Sequence, residues 1–576
     1  MEPLPHKTGL LLKISILLIG LGACFWAYFL ASPEISERIV NKAGYYFAAA
    51  AFFAFLYAVF HVVRIRLPEK RHARYLAGAV LAASCLLFIH EDLGPKVAME
   101  EYELASTSKS LAMERDVEVL TLGRNFNEYF IRADQYVDER PWLYPFVVSL
   151  VHDFSGYRLM NNYLVNAFLA IFLLSLTAGM AYRIGGLPAG VLGPFLWAAL
   201  PLLSQHASGG GLEVLNLVLL LVVILCSFYY IEAPGGGRLN LLALAMVCLS
   251  FSSYQSLVYW LFVAGVIVLG WWRSKKLILP VGLSATPLLL AILAAHASFL
   301  AANPNMAGFG KNIENAYGLE YLLPNLSNAI YFLFAMGDEL PNAFLLGIFG
   351  VLFTLLSLRL ALHSIMTKDK RHYQSLVFLL LAVVVVGQFV MIMARWDGQL
   401  TETAAAGDVL PLFLLMIASI LVFLSARIKR GRMWWIVYLV VGVFILCMTL
   451  PNKAKGVYGK EDWRVREANW LEVQAKENFE PMSLIVDQET VIWTLNEWHC
   501  IKVSEAFSSL PRMRAERERG KYPQIYLIDR ANAAFDLEEQ IKFKSDADLT
   551  ALNKTLIAEK SFQPLEMTRI YKVEIK

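Results

Sequence analysis

Charge is scarce in this 576-residue sequence. Asp, Glu, Lys and Arg make up 17% of it, where an ordinary soluble domain carries roughly 25%. The deficit is concentrated in long apolar runs, and 57% of all residues are hydrophobic. Backbone groups in hydrocarbon must be satisfied within their own segment, so these runs read as membrane-crossing helices. Cysteine is sparse as well. Cys24, Cys85, Cys226, Cys248, Cys447 and Cys500 form no CxxC pair, and only Cys500 lies outside an apolar run. That argues against a thiolate zinc site or a disulfide framework. The basic residues stand in short clusters, the net charge is +3, and no basic stripe points to nucleic acid. Gly235-Gly236-Gly237 lacks the Lys-Ser/Thr ending of a phosphate-binding loop.

The apolar runs predict a polytopic α-helical membrane protein of about thirteen spans, each near the length that crosses a bilayer. They fall near 10–31, 43–63, 75–91, 160–182, 187–204, 211–231, 239–254, 256–272, 277–298, 341–363, 374–394, 409–427 and 433–450. The first follows His6 and Lys7 and lacks a small-residue cleavage site, so it reads as a retained helix. Basic residues cluster on one side: Arg64, Arg66, Lys70, Arg71 and Arg74; Arg273, Lys275 and Lys276; Lys368, Lys370 and Arg371; Arg427, Lys429, Arg430 and Arg432. The other side carries Arg38, Lys42, Lys311 and Arg395. The first side is therefore expected in the cytosol with the N-terminus, in the plasma (inner) membrane. The loop 92–159 and the tail 451–576 are expected outside it. Two domains follow: a membrane domain over 1–450 that includes the loop, and a small extracytoplasmic α/β domain over 451–576.

The loop is too long for an idle connection. Glu100–Ala112 has helical spacing, with Leu104, Ser108 and Leu111 on one side. Pro141 can occupy a helix first turn. The helix after it, Trp142–Phe154, is too short to cross, so Trp142 and Tyr144 are expected at the membrane–water boundary. A second outer segment, 301–341, could cover a cavity. In the tail, Ser483–Asp487 and Gln524–Asp529 read as buried strands, and Arg569–Ile575 as a final edge strand. Ser508–Arg519 and Asp536–Phe543 read as helices.

Four constellations could carry chemistry. Glu100 and Glu101 are adjacent carboxylates just beyond the third span. One could act as a general base at the membrane boundary; the plainer reading is an acidic helix start. Asp138-Glu139-Arg140-Pro141-Trp142-Leu143-Tyr144-Pro145 places carboxylates, an Arg and aromatics where the loop returns. Arg140 could grip a phosphate bidentately, and the plainer reading is an interfacial anchor. His206-Ala207-Ser208-Gly209-Gly210-Gly211-Leu212-Glu213 could offer helix amides to a phosphate, or be only a turn with a helix-starting Glu. Arg395-Trp396-Asp397 and Tyr254-Gln255 sit at outer span ends, where each could meet a lipid headgroup or merely a neighbouring helix. No dense carboxylate cluster demands a metal, although a carboxylate pair could hold a divalent ion.

Glu100-Glu101-Tyr102-Glu103-Leu104 resembles the acidic motif in the first outer loop of GT-C glycosyltransferases. Asp138–Pro145, followed by Ser149–Arg158 and Asn166, resembles the Arg-Pro-x-Leu-Tyr-Pro stretch of that superfamily, in its family 39, ArnT-like and RgtA/B/C/D-like branch. The resemblance implies transfer of one sugar from a polyprenyl-phosphate donor to an acceptor on the outer face, with inversion. It implies Glu100 or Glu101 as base and Asp138 as the group positioning base or acceptor. Arg140 or Arg395 would hold the departing phosphate, with Glu139, Tyr144, Tyr254 and Gln255 near the substrate. Glucose, mannose, galacturonate and aminoarabinose donors occur among such enzymes; acceptors include lipid A, other cell-envelope glycans such as lipopolysaccharide, glycolipids and proteins. Two rival classes are a lipid or glycan flippase and a polysaccharide polymerase or ligase. The sequence shows no internal repeat of the kind transporters carry.

Overall fold

The computed structural model describes residues 6–63, 68–97, 99–126, 129–303, 316–334, 343–400, 403–428, 431–454, 463–508, 510–532, 552–563 and 566–575. The expected helix Asp536–Phe543 lies outside these residues, as do Arg64, Arg66, Lys311, Lys429, Arg430 and much of 301–341. The chain divides into two compact units.

The first unit comprises Met1–Gly94, Glu139–Val147 and Asn162–Lys460. Among the described residues, ten helices are long and apolar enough to cross a membrane. The chain is a polytopic helical membrane protein. The other three expected spans are helical but differ in kind. The third is Lys70–Phe88, whose first turns carry Lys70, Arg71 and Arg74. The expected spans 160–182 and 187–204 share the helix Met160–Ala198, broken in direction where Gly185 and Gly186 leave helical geometry. Gly186, at φ +71°, takes a conformation that side-chain-bearing residues rarely adopt. The expected span 239–254 is the 15-residue helix Gly236–Ser250, about 22 Å long at the usual helical rise.

Trp142 and Tyr144 differ from expectation. Both are fully buried within this unit, with their polar tips on backbone carbonyls. Trp142 Nε1 donates to Gly44 (2.8 Å) and the Tyr144 hydroxyl to Asn162 (2.9 Å). Trp142 packs edge-on against Phe251, whose carbonyl accepts the Leu143 N–H at 3.0 Å. Buried amphipathic rings need a partner for the polar tip, and the helix bundle supplies one where the boundary reading looked to water.

The second unit comprises Pro95–Asp138, Val148–Asn161 and Glu461–Lys576. It contains most of the loop as well as the tail, a division that departs from the expected boundary at residue 450. The sheet explains the difference. Strands β1 (Val119–Phe126) and β2 (Tyr129–Tyr136) form a hairpin in the loop; the tail supplies β3 (Leu484–Val486), β4 (His499–Ile501), β5 (Ile525–Asn532), β6 (Leu552–Gln563) and β7 (Glu566–Ile575). Their order is β2-β1-β4-β3-β5-β7-β6. The loop joins the tail's sheet through Gly123 opposite Cys500. The three central strands β4, β3 and β5 run parallel. Parallel strands are covered on both faces, and the apolar runs divide accordingly. Leu484, Val486, Ile525 and Leu527 pack with Val503 and Met513. Ile485, Tyr526 and Ile528 face the other way, onto Leu471 and Ala475 of the helix Trp463–Asn478 and onto Phe479 just after it. β7 is not the edge: it lies between β5 and β6. The expected helix Ser508–Arg519 corresponds to Val503–Ser508 and Leu510–Glu518.

Candidate active site

In the loop–tail unit, the acidic pair opens the helix Glu100–Met113. Carboxylates are favoured there by the positive end of the helix dipole. Neighbouring helical residues point about 100° apart, and the pair is split accordingly. Glu100 is exposed. Glu101 is buried, and its carboxylate accepts the backbone N–H groups of Lys96 (3.0 Å) and Val97 (3.3 Å). Asp138 is buried against the same helix, accepting from the Thr107 hydroxyl at 3.1 Å. Tyr136 donates to Glu103 at 2.8 Å. The structure thus gathers the three predicted acids around one helix, with Glu100 the exposed member.

The same helix carries Ser108, whose Oγ lies 3.2 Å from His152 Nε2. This contact is not a nucleophile and its base. The Asn161 side-chain nitrogen donates to the Gly156 carbonyl (3.0 Å), so it is also the donor towards His152 Nδ1 (2.9 Å). Ser108 donates to the Ala105 carbonyl at 2.8 Å. Burial pushes the His152 imidazole down to about 4. The hydroxyl proton thus points to that carbonyl and not to the imidazole.

In the membrane unit, Arg395 and Gln255 meet at a residue that the sequence reading passed over. Asp408 accepts from Gln255 Nε2 (2.7 Å) and from Arg395 Nη2 (3.0 Å). Arg395 Nε also binds Asp397. Asn325 fixes the Arg395 turn by donating to the carbonyls of Met393 (3.0 Å) and Arg395 (2.7 Å). Burial works against the charge on Arg395, but Asp408 and Asp397 outweigh it and raise its basicity. Burial also pushes the Asp408 carboxyl up, with Arg395 and Gln255 pulling the other way. Arg395 is therefore not a bare cation awaiting a phosphate; two carboxylates already share it. Tyr254 is held elsewhere, with its hydroxyl 2.6 Å from His296 Nδ1. Tyr144 donates its hydroxyl proton to the Asn162 carbonyl at 2.9 Å. Glu139 and Arg140 are half-buried.

His206 and Glu213, which the sequence also allows as a plain turn, form a pair: His206 Nδ1 lies 3.4 Å from Glu213 Oε2. Glu213 feels the charge of Arg140 and acts in turn on Asp408. Glu213 opens the helix Glu213–Glu232, as the plainer reading of this stretch has it. Only its position, directly before an apolar run, could have signalled Asp408. Among the described residues, no group of three or more His, Cys, Asp or Glu is gathered as a metal ion requires.

No protein-family model and no curated protein matches this sequence. Solved structures do match. ArnT from Cupriavidus metallidurans, bound to undecaprenyl phosphate, aligns with a TM-score of 0.54 at 13% identity, over 87% of this chain and 98% of that one. The same protein in the apo state aligns with the same values. The oligosaccharyltransferase of Archaeoglobus fulgidus in the apo form aligns with a TM-score of 0.42 at 10% identity, over 80% of this chain and 70% of that one. The chain shares the fold of ArnT, as the resemblance carried by its acidic loop motif and its Arg-Pro-Trp-Leu-Tyr-Pro string implied.

Proposed function

We propose that this protein is an inverting glycosyltransferase. It moves a single sugar from a polyprenyl-phosphate-linked donor to a lipid A, polysaccharide, glycolipid or protein acceptor on the extracytoplasmic face, with its own N-terminus in the cytosol. The observation that carries this reading is the fold shared with ArnT, which has been solved with undecaprenyl phosphate bound. The acidic pair at the head of a loop helix supports it.

Glu100 is the base. It is exposed, whereas the Glu101 carboxylate is engaged by two backbone amides and shapes the turn before the helix. The acceptor hydroxyl gives its proton to Glu100 and its oxygen attacks the anomeric carbon. The bond from that carbon to the phosphate oxygen breaks, and polyprenyl phosphate leaves with the electron pair. The leaving group needs a cation as its charge develops. Arg140 or Arg395 supplies it. A divalent ion remains an optional addition to this scheme.

The test is turnover by the full-length protein in nanodiscs, with a panel of polyprenyl-monophosphate sugars and an envelope-lipid acceptor. Glu100→Gln is expected to lower kcat by about a hundredfold or more, the scale of lost general-base catalysis. Glu101→Gln is expected to cost less. Full turnover after both substitutions together would reject this assignment.

A further inference from the structure

Three spanning helices of the membrane unit share one end of the bundle. The spans Leu346–Met366 and His372–Met393 are joined only by residues 367–371, so Leu346 and Met393 stand at the same end. Arg395 binds Asp408 at 3.0 Å, which brings the start of the span Leu410–Arg427 to that end as well.

A further helix, Leu319–Phe334, meets all three spans there. The backbone before it is paired to the end of the second span. Gly318 donates to the Ala394 carbonyl (2.9 Å), Trp396 donates to the Ala316 carbonyl (3.1 Å), and Tyr317 bridges to Arg395. Inside the helix, Asn325 donates to the carbonyls of Met393 (3.0 Å) and Arg395 (2.7 Å). Its last turn reaches the other two spans. Phe332 packs on Phe413 with ring centres 6.5 Å apart. A Cβ on Gly347 would lie 2.2 Å from the Leu333 carbonyl oxygen, so glycine lets the helix sit this close. Gly347 is the second residue of its span and Phe413 the fourth of its own. Both halves of the helix therefore lie within about one turn of the same span ends. The helix runs across those ends and does not cross the bilayer with them.

Its side chains are distributed inside out for a helix in water. Asn325, Ala329, Phe332 and Leu333 are buried. Leu319, Leu323, Leu326, Ile330 and Phe334, three or four residues apart, form an exposed stripe. Leu319 is 81% exposed and Leu323 74%. The one charged residue, Glu320, stands in the first turn. An apolar stripe of this kind marks an interaction surface. The three helices beneath it are long and apolar enough to cross hydrocarbon, so the medium that meets the stripe beside their ends is lipid.

We infer that the helix Leu319–Phe334 lies in the plane of the bilayer, sunk to the acyl-chain boundary of one leaflet, with bilayer lipid as the partner of its exposed stripe. Through Asn325 it holds the Arg395 turn at that depth. The inference does not depend on the glycosyl-transfer reading.

The experiment uses the full-length protein in nanodiscs, with the exposed Cys85 and Cys447 replaced by serine and a spin label at Leu323→Cys or Ile330→Cys. Signal from the protein without an added cysteine is subtracted. Val383→Cys, exposed in the middle of the span His372–Met393, gives a deep reference. Access to oxygen, which enters hydrocarbon, is compared with access to a water-soluble nickel chelate. Both positions are expected to favour oxygen several-fold, at depths that agree within about one helical turn and are shallower than Val383. Preference for the nickel chelate at either position overturns the inference, because the stripe would face water. Depths about 10 Å apart, the axial distance between the two positions, would stand the helix upright and overturn it. Low access to both reagents, or broadening by a second label, would put a protein surface on the stripe and overturn it too.

Discussion

The two units each carry clusters of buried charge, arranged differently. In the loop–tail unit two buried cations are closed off by partners. Arg530 is gripped by Glu467 (2.8 Å), Asp487 and Glu489, and Asp487 also accepts from Trp493 Nε1 at 2.6 Å. Lys109, fully buried, donates to Glu497 (3.2 Å) and the Thr494 carbonyl (3.3 Å) and lies 4.5 Å from the Tyr157 ring centre. In the membrane unit, Glu213, Asp397 and Asp408 crowd one end around two guanidinium groups. Saturated networks hold a structure in register.

Breaking a saturated lock should cost the most stability. Arg530→Met leaves Glu467 and Asp487 buried without their cation. The expected loss is about 3–5 kcal/mol in the loop–tail unit, read by thermal unfolding or by hydrogen exchange in β3 and β5. An unchanged melting curve would show that these carboxylates do not depend on Arg530.

A smaller effect follows pH. His152 has an imidazole held down at about 4, against 6.5 in an unperturbed state. Between those values the unfolded chain binds the proton and the folded unit does not. Its contribution is therefore intact above pH 6.5 and is lost as pH falls towards 4, by about 3 kcal/mol in all. His152→Gln should flatten that part of the stability–pH curve. A curve of the same slope in the variant would assign the dependence to other groups.

The smallest effect sharpens the contrast from the other side. Tyr144→Phe removes one hydrogen bond to a backbone carbonyl. It should cost about 1 kcal/mol and leave the KM for donor unchanged, as a packing residue would. A several-fold rise in KM at unchanged stability would return Tyr144 to the substrate.

The apolar runs, the long loop and the strands around Leu484 and Ile525 were legible because each is a local pattern: a run, a length, a short apolar stretch ending in Asp. So were the acidic pair and the Arg-Pro-Trp-Leu-Tyr-Pro string, which are contiguous. The orientation of Glu100 outward and Glu101 inward follows from helix geometry once the helix start is known. Pairing of β1 with β4 joins residues 123 and 500, and no local pattern encodes a partner that distant. The burial of Trp142 and Tyr144 was equally hidden, since rings of this kind suit a membrane boundary and a packed interior alike. Asp408 meets Gln255 and Arg395, and Glu213 meets His206, across separate connections. The sequence by itself determined the apolar helices and the strands around Leu484, Ile525 and Arg569, because periodicity and apolar length act within a few residues; the hairpin 119–136 and the strands His499–Ile501 and Leu552–Gln563 carry no such local pattern. Only the tertiary structure decided which charges are saturated and which are crowded together, because that depends on distances between segments that chain order does not constrain.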